Sequence, residues 1–148
     1  MNLLLLPIIA QGICMAADEG YYHRGRVLPK WELIGHPIDT MTVLICLGWT
    51  CLVPFTELNL KIFIGLAALS CLCVTKDEFV HHKVCPAAEQ WLHSLLFVLH
   101  PCVLGATGIL WFKGQIDILR YQFILIFLFW LYQIVGGIRG VKRLKSAN

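Results

Sequence analysis

The sequence predicts an all-α integral membrane protein of about five transmembrane helices, two pseudo-repeated helix pairs followed by a C-terminal helix. Three observations predict it. Mean hydropathy is +0.72, and 58% of the 148 residues are hydrophobic, more than a water-soluble domain of this size carries. Charged residues make up 14% of the chain and fall between apolar runs rather than within them, so the runs read as spans and the polar stretches as connections. A spaced pattern of carboxylates and histidines also occurs twice, each time between apolar runs, as in a chain built from two related halves.

The first apolar run covers residues 2–17, with Pro7 and Gln11 inside it. A secretory signal peptide is the competing reading. However, the run lacks a basic start, and Met15 spoils a small-x-small cleavage pattern, so a retained helix is expected. The run is short of the ~20 residues a span needs, and extension through Glu19 and Tyr22 would lengthen it. Residues 18–39 are polar and punctuated by Pro29 and Pro37. The second helix is expected over 38–55, with Pro54, Glu57 and Asn59 marking a turn, and the third over 60–75. Pro86 suits the first turn of a fourth helix, where its missing N–H costs nothing. That helix should continue through Trp111, and Pro101 should kink it and free a carbonyl near His100. Residues 113–117 form a turn, and a fifth helix over 119–138 has no partner in the duplication. The organisation is thus one transmembrane domain, 1–148, with pseudo-repeats 1–55 and 60–112 and a C-terminal helix with a basic tail, 117–148.

Charge and cysteine usage narrow the class. The net charge of +3 comes largely from Arg139, Lys142, Arg143 and Lys145, a tail that suits an anionic membrane surface and not nucleic acid. The seven cysteines are odd in number and lack zinc-knuckle spacing, so they read as small apolar filler. With the C-terminus inside, cytoplasmic segments hold Arg24, Arg26, Lys30, Lys76, Lys83 and the four tail cations, nine in all, against Lys61, Lys113 and Arg120 outside. The positive-inside rule therefore predicts an outer N-terminus and a cytoplasmic C-terminus, with both polar stretches in the cytoplasm.

Those two stretches carry the chemistry. In the first, Glu19 is followed four residues on by His23, then Pro29, Glu32 and, four after that, His36. In the second, Glu78 is followed by His82, then Pro86, Glu89 and His93 at the same spacings. The pattern ExxxH…PxxExxxH thus appears twice, with Asp18 and Asp77 each preceding the first Glu. Residues four apart share a helix face, so each segment offers one carboxylate and one imidazole on one side. Ionisable groups beside apolar helices cost a few kcal/mol unless paired or coordinated.

Glu19, His23, Glu32, His36, Glu78, His82, Glu89 and His93 are therefore the candidate ligands of two divalent metal ions. The oxygen and nitrogen donors favour iron, with zinc and manganese as alternatives. Soluble di-iron bundles use the same ligand types at slightly different spacing. Asp39, His81, Cys85 and His100 are candidate additional or orienting groups. Asp18 and Asp77 are further candidates of that kind, with capping or solvation as the favoured role. Tyr21, Tyr22, Trp31 and Trp91 are expected to anchor helix ends at the membrane interface.

The layout resembles that of integral-membrane di-iron fatty-acid hydroxylases and desaturases, which also place histidine-rich segments at the cytoplasmic ends of helices. Those enzymes use HxxxH and HxxHH boxes. This chain has neither, and carboxylates replace about half of the ligands, so no residue assignment carries over. The expected function is a membrane di-metal oxidoreductase acting on a lipid or other apolar substrate, with electrons from a separate donor because the chain has no flavin or iron–sulfur motif. The alternatives are a metal carrier or transporter, a haem-binding electron-transfer protein, and a zinc-dependent membrane hydrolase.

Overall fold

A computed structural model describes residues 3–23, 30–76 and 85–146, apart from the side chains of Lys30, Glu32 and residues beyond Ile138. The described residues form five helices and no strand: α1 (Leu5–Ala17), α2 (Lys30–Leu52), α3 (Glu57–Thr75), α4 (Ala87–Phe112) and α5 (Ile116–Ser146). A single π-helical turn, Asp18–Tyr22, continues α1. The pseudo-repeat expectation for Glu78 and His82, and the candidates Asp77 and His81, lie outside the described residues.

Local chemistry sets the short connections. The hydroxyl of Thr56 accepts the Asn59 N–H at 3.2 Å and caps α3, while the Asn59 amide donates to the Pro54 carbonyl at 2.9 Å. Between α4 and α5 the chain turns at Gly114, whose φ of 67° is a left-handed conformation that side chains rarely tolerate. Gly114 N–H then bonds the Trp111 carbonyl at 2.9 Å, closing the end of α4.

The second helix starts at Lys30, not near residue 38 as expected, and runs through Pro37. Proline gives no N–H to the carbonyl four residues earlier, here that of Leu33. At this carbonyl α5 comes closest: a Cβ on Gly137 would stand 3.0 Å from Leu33 O. The indole of Trp130 donates to the Pro37 carbonyl at 3.0 Å, and Thr40 donates to the Gln133 amide oxygen at 2.7 Å. Tertiary packing against α5 thus accommodates a residue that would usually end a helix. Helix α4 likewise continues through Pro101.

Helix α2 packs most extensively on α5 and also touches α3 and α4, while α1 lies against α4. Leu47, Phe63, Leu110, Trp111 and Leu119 form the apolar core, at the end of the bundle where α2 and α4 finish. The opposite end gathers the C-terminal ends of α1 and α3 and the N-terminal ends of α2 and α4, as the bonds below show.

Polarity is distributed inside-out. Thr40, Thr50, Ser70, Thr107, Gln122 and Gln133 are buried, while Ile13, Leu52, Leu72, Val98, Phe112 and Leu125 are exposed. Among the described residues, three helical stretches, Glu57–Thr75, Ala87–Phe112 and Ile116–Ile138, are long and apolar enough to cross a membrane. Helix α1 has only 13 residues.

Candidate metal centre

The π turn decides which side chains meet. An α-helix brings residues four apart onto one face, whereas a π turn bonds residues five apart. Here the His23 N–H reaches the Asp18 carbonyl at 3.1 Å, so Asp18 and His23 come to the same side. On α4, an unbroken α-helix, Glu89 and His93 share a face at the ordinary spacing, and both are buried.

These four residues converge. Asp18, His23, Glu89 and His93 each offer one ligand atom, and all four atoms lie within 4.8 Å of one another. His93 Nε2 stands 3.1 Å from Asp18 Oδ1. His23 Nε2 stands 3.7 Å from Asp18 Oδ1 and 3.6 Å from Glu89 Oε1. None of the four is more than 6% exposed, and Glu89 is at 0%. Asp18 is thus buried within the group, the less favoured of the two roles the sequence offered it, and not at solvent. Burial pushes its carboxyl up, but the hydrogen bond from His93 and the charges of His23, His93 and His36 outweigh that and hold it below the usual carboxylate range.

Glu19 takes a different place. Its Oε2 lies 3.3 Å from His23 Nδ1. A carboxylate only accepts, so Nδ1 carries the proton, and in a neutral ring Nε2 bears the lone pair. That lone pair faces two carboxylate oxygens, an arrangement that is favourable only with a cation among them, either a proton on Nε2 or a metal ion. Glu19 thus stands where a carboxylate orients a metal-ligating histidine.

The remaining candidates surround this group. His36 packs its ring 4.8 Å from that of His23 and 6.4 Å from that of His93, centre to centre. Asp39 forms an ion pair with Lys76, tying α2 to the end of α3, and the Lys76 ammonium also lies 5.9 Å from the centre of the Trp31 ring. Cys85 is half-buried just before α4. Glu32 lies on α2, with its side chain outside the described residues. Tyr21, Trp31 and Trp91 are exposed around the same end, as interfacial aromatics would be.

His100 sits two turns deeper on α4 and is 5% exposed. Its Nε2 lies 3.0 Å from Ser70 Oγ and its Nδ1 lies 3.5 Å from Gln11 Nε2. It lines a cavity of about 90 Å³ shared with Gln11, Asp18, His36, Phe97 and His93. Gln11, Ser70, Thr40 and Gln133 were not among the sequence candidates. The one signal available for them was an uncharged polar residue inside an apolar run.

No family model, curated protein or solved structure matches the chain.

Proposed function

We propose that the protein is a multi-pass membrane metalloenzyme, an oxidoreductase acting on a lipid or other apolar substrate. Asp18, His23, Glu89 and His93 would hold a divalent cation at its cytoplasmic membrane boundary. The observation that carries this reading is the convergence of four buried ligand atoms, two carboxylate and two imidazole, within 4.8 Å of one another. With neutral imidazoles the two carboxylates leave a charge of about −2 in a buried site, and a divalent ion would balance it. The separations of 3.1, 3.6 and 3.7 Å bracket the edge of about 3.3 Å expected for a tetrahedron with bonds of about 2.0–2.1 Å. The two longer ones exceed an ordinary N–H···O bond, which favours a shared ion over direct pairing.

The described residues offer donors for one ion. The carboxylate of Glu32, with Glu78 and His82, are the groups the sequence offers for a second. When bound, iron would supply redox and oxygen chemistry at the site. The chain's own residues would orient the donors, through Glu19 on His23, and keep the site dry by burying Glu89 and His93. The inside-out polarity supports membrane embedding of all five helices, since buried polar groups with apolar exteriors suit lipid. The cavity beside the ligands is far too small for a porphyrin, which counts against a haem protein. Two carboxylates and two imidazoles are also donors that zinc accepts, so a zinc-dependent hydrolase is the second reading.

The test is metal identity in protein purified without oxygen, with substrate turnover measured in the presence and absence of oxygen. Bound iron and an oxidised lipid product formed only with oxygen would support the oxidoreductase. Bound zinc with oxygen-independent lipid cleavage would replace it by the hydrolase.

A further inference from the structure

A chain of hydrogen bonds crosses the bundle below the metal-binding cluster, and every link in it points the same way. The Thr42 hydroxyl lies 2.7 Å from the Asp39 carbonyl, which only accepts, so Thr42 spends its one proton there. Ser70 lies 2.7 Å from Thr42 and must therefore donate to it. His100 Nε2, 3.0 Å from Ser70, must in turn donate to Ser70. In a neutral imidazole the other nitrogen is then an acceptor, so Gln11 presents its NH₂ group to His100 Nδ1, at 3.5 Å. This fixes the orientation of the Gln11 amide, which distance alone leaves ambiguous. Each link thus donates away from Gln11 and toward the Asp39 carbonyl, and the Gln11 oxygen is left as an acceptor.

Gln11 is 8% exposed and lines the cavity of about 90 Å³. Its Oε1 is buried and has no hydrogen-bond partner among the described residues. A buried amide oxygen without a donor is costly, so this end of the cavity suits a donating group. At the other end, Asp18 and His93 line the cavity, while His23 and Glu89 do not. A further ligand of the ion would therefore arrive across the edge between Asp18 and His93. Gln11 precedes Asp18 by seven residues and His100 follows His93 by seven, a rise of about 10 Å along a helix. The cavity thus runs about two turns along α1 and α4, from the cluster to Gln11. Spread over that length, about 90 Å³ is a passage roughly one water molecule wide, since one water takes up about 10–15 Å³ of such volume.

We propose that this passage holds a single file of water that supplies the exogenous ligand of the cation. The first water places its oxygen on the ion between Asp18 and His93, and the last donates a hydrogen bond to Gln11 Oε1. The two ends agree in polarity. A cation takes an oxygen lone pair, which turns the protons of that water away from it, and the file then meets an acceptor whose orientation the His100–Ser70–Thr42 chain fixes. Gln11 is the positioning residue, and His100 and Ser70 hold its amide in place. The proposal rests on the metal reading, because the cation orders the first water. It holds for either ion, since iron sites keep open positions beside their protein donors and zinc can expand to five ligands.

The test loads the purified full chain in detergent with excess manganese(II) and records pulsed electron paramagnetic resonance in oxygen-17 water. A coupling from a directly bound, exchangeable oxygen is expected. The file itself is read by X-ray radiolysis in oxygen-18 water, in which water held beside a side chain labels it. Met15 lines the cavity with its Sδ 3.9 Å from Gln11 Nε2 and should be labelled, whereas Trp111 in the apolar core should not. Gln11→Leu should cut Met15 labelling by roughly fivefold, the loss of one hydrogen bond, with manganese still bound. Gln11→Glu, which keeps an oxygen acceptor, should stay within about twofold of wild type. Bound manganese without an oxygen-17 coupling would overturn the proposal and leave the metal reading standing, and this measurement decides it on the wild type alone if Gln11→Leu does not fold. Undiminished Met15 labelling in a folded Gln11→Leu would also overturn it. A chain that takes up no manganese would overturn the proposal and the metal reading together.

Discussion

The two ends of the bundle are built on opposite principles. At one end Leu47, Leu110 and Leu119 are fully buried and Trp111 nearly so, and the two indoles there are satisfied by backbone, Trp111 by the Val53 carbonyl at 3.1 Å and Trp49 by the Asn59 carbonyl at 3.2 Å. At the other end Glu89 is as deeply buried as Leu47, among histidines and a second carboxylate. The first end can be explained by packing alone. The second buries groups that packing alone would exclude, and under the proposed membrane reading such groups are candidates for function. Removing a side chain should therefore cost stability at the first end and metal at the second.

That contrast can be broken in several ways. Trp111→Ala should destabilise the fold by about 3–5 kcal/mol through lost packing, read by thermal unfolding in detergent, while the folded fraction keeps its metal. Equal metal loss would show that the two ends are not separable. Asp18→Asn should weaken metal affinity by more than about 100-fold, whereas Glu19→Gln should cost about 10–100-fold, as expected for a group that orients a ligand. A competition titration with a chelator would measure both, and a reversed order would exchange their roles. Acid should act on the same end. The imidazoles must be neutral to bind metal, so affinity should fall as the buffer is made acidic and recover on return. Affinity unchanged by acid would mean that the imidazoles do not hold the metal.

The smallest effect concerns how the helices approach. Gly137→Ala places a Cβ 3.0 Å from Leu33 O and should cost about 1 kcal/mol by forcing α5 off α2. Gly136→Ala, whose nearest neighbour would be Glu19 Oε1 at 4.0 Å, should cost less. Thermal melts of the two variants would order them.

Much of the helical plan was legible because apolar runs and punctuating prolines and glycines are local signals. The start of α2 was not, because Pro37 reads as a stop unless the neighbouring α5 can be seen closing on Leu33. The Glu89–His93 pair was legible because it sits on a regular helix, where spacing of four means one face. Asp18 ranked behind Glu19 in the sequence for the converse reason: the π turn changes the period, so a residue five before His23 joins it. Gln11, Ser70, Thr42 and His100 come from four different helices and meet only in three dimensions, so no spacing rule could assemble them. The donors of the 78–82 segment are legible as a pattern, and the described residues do not reach them.

The most direct test is the metal-to-protein ratio of anaerobically purified wild type beside a Glu89→Ala/His93→Ala variant, with folding of both checked by thermal unfolding. The account predicts at least one transition-metal ion per wild-type chain, two if Glu78 and His82 complete a second site, and near-complete loss in a folded variant. A metal-free wild type that binds none of iron, zinc or manganese when they are added would contradict it, and would leave His23 as a protonated partner of the surrounding carboxylates.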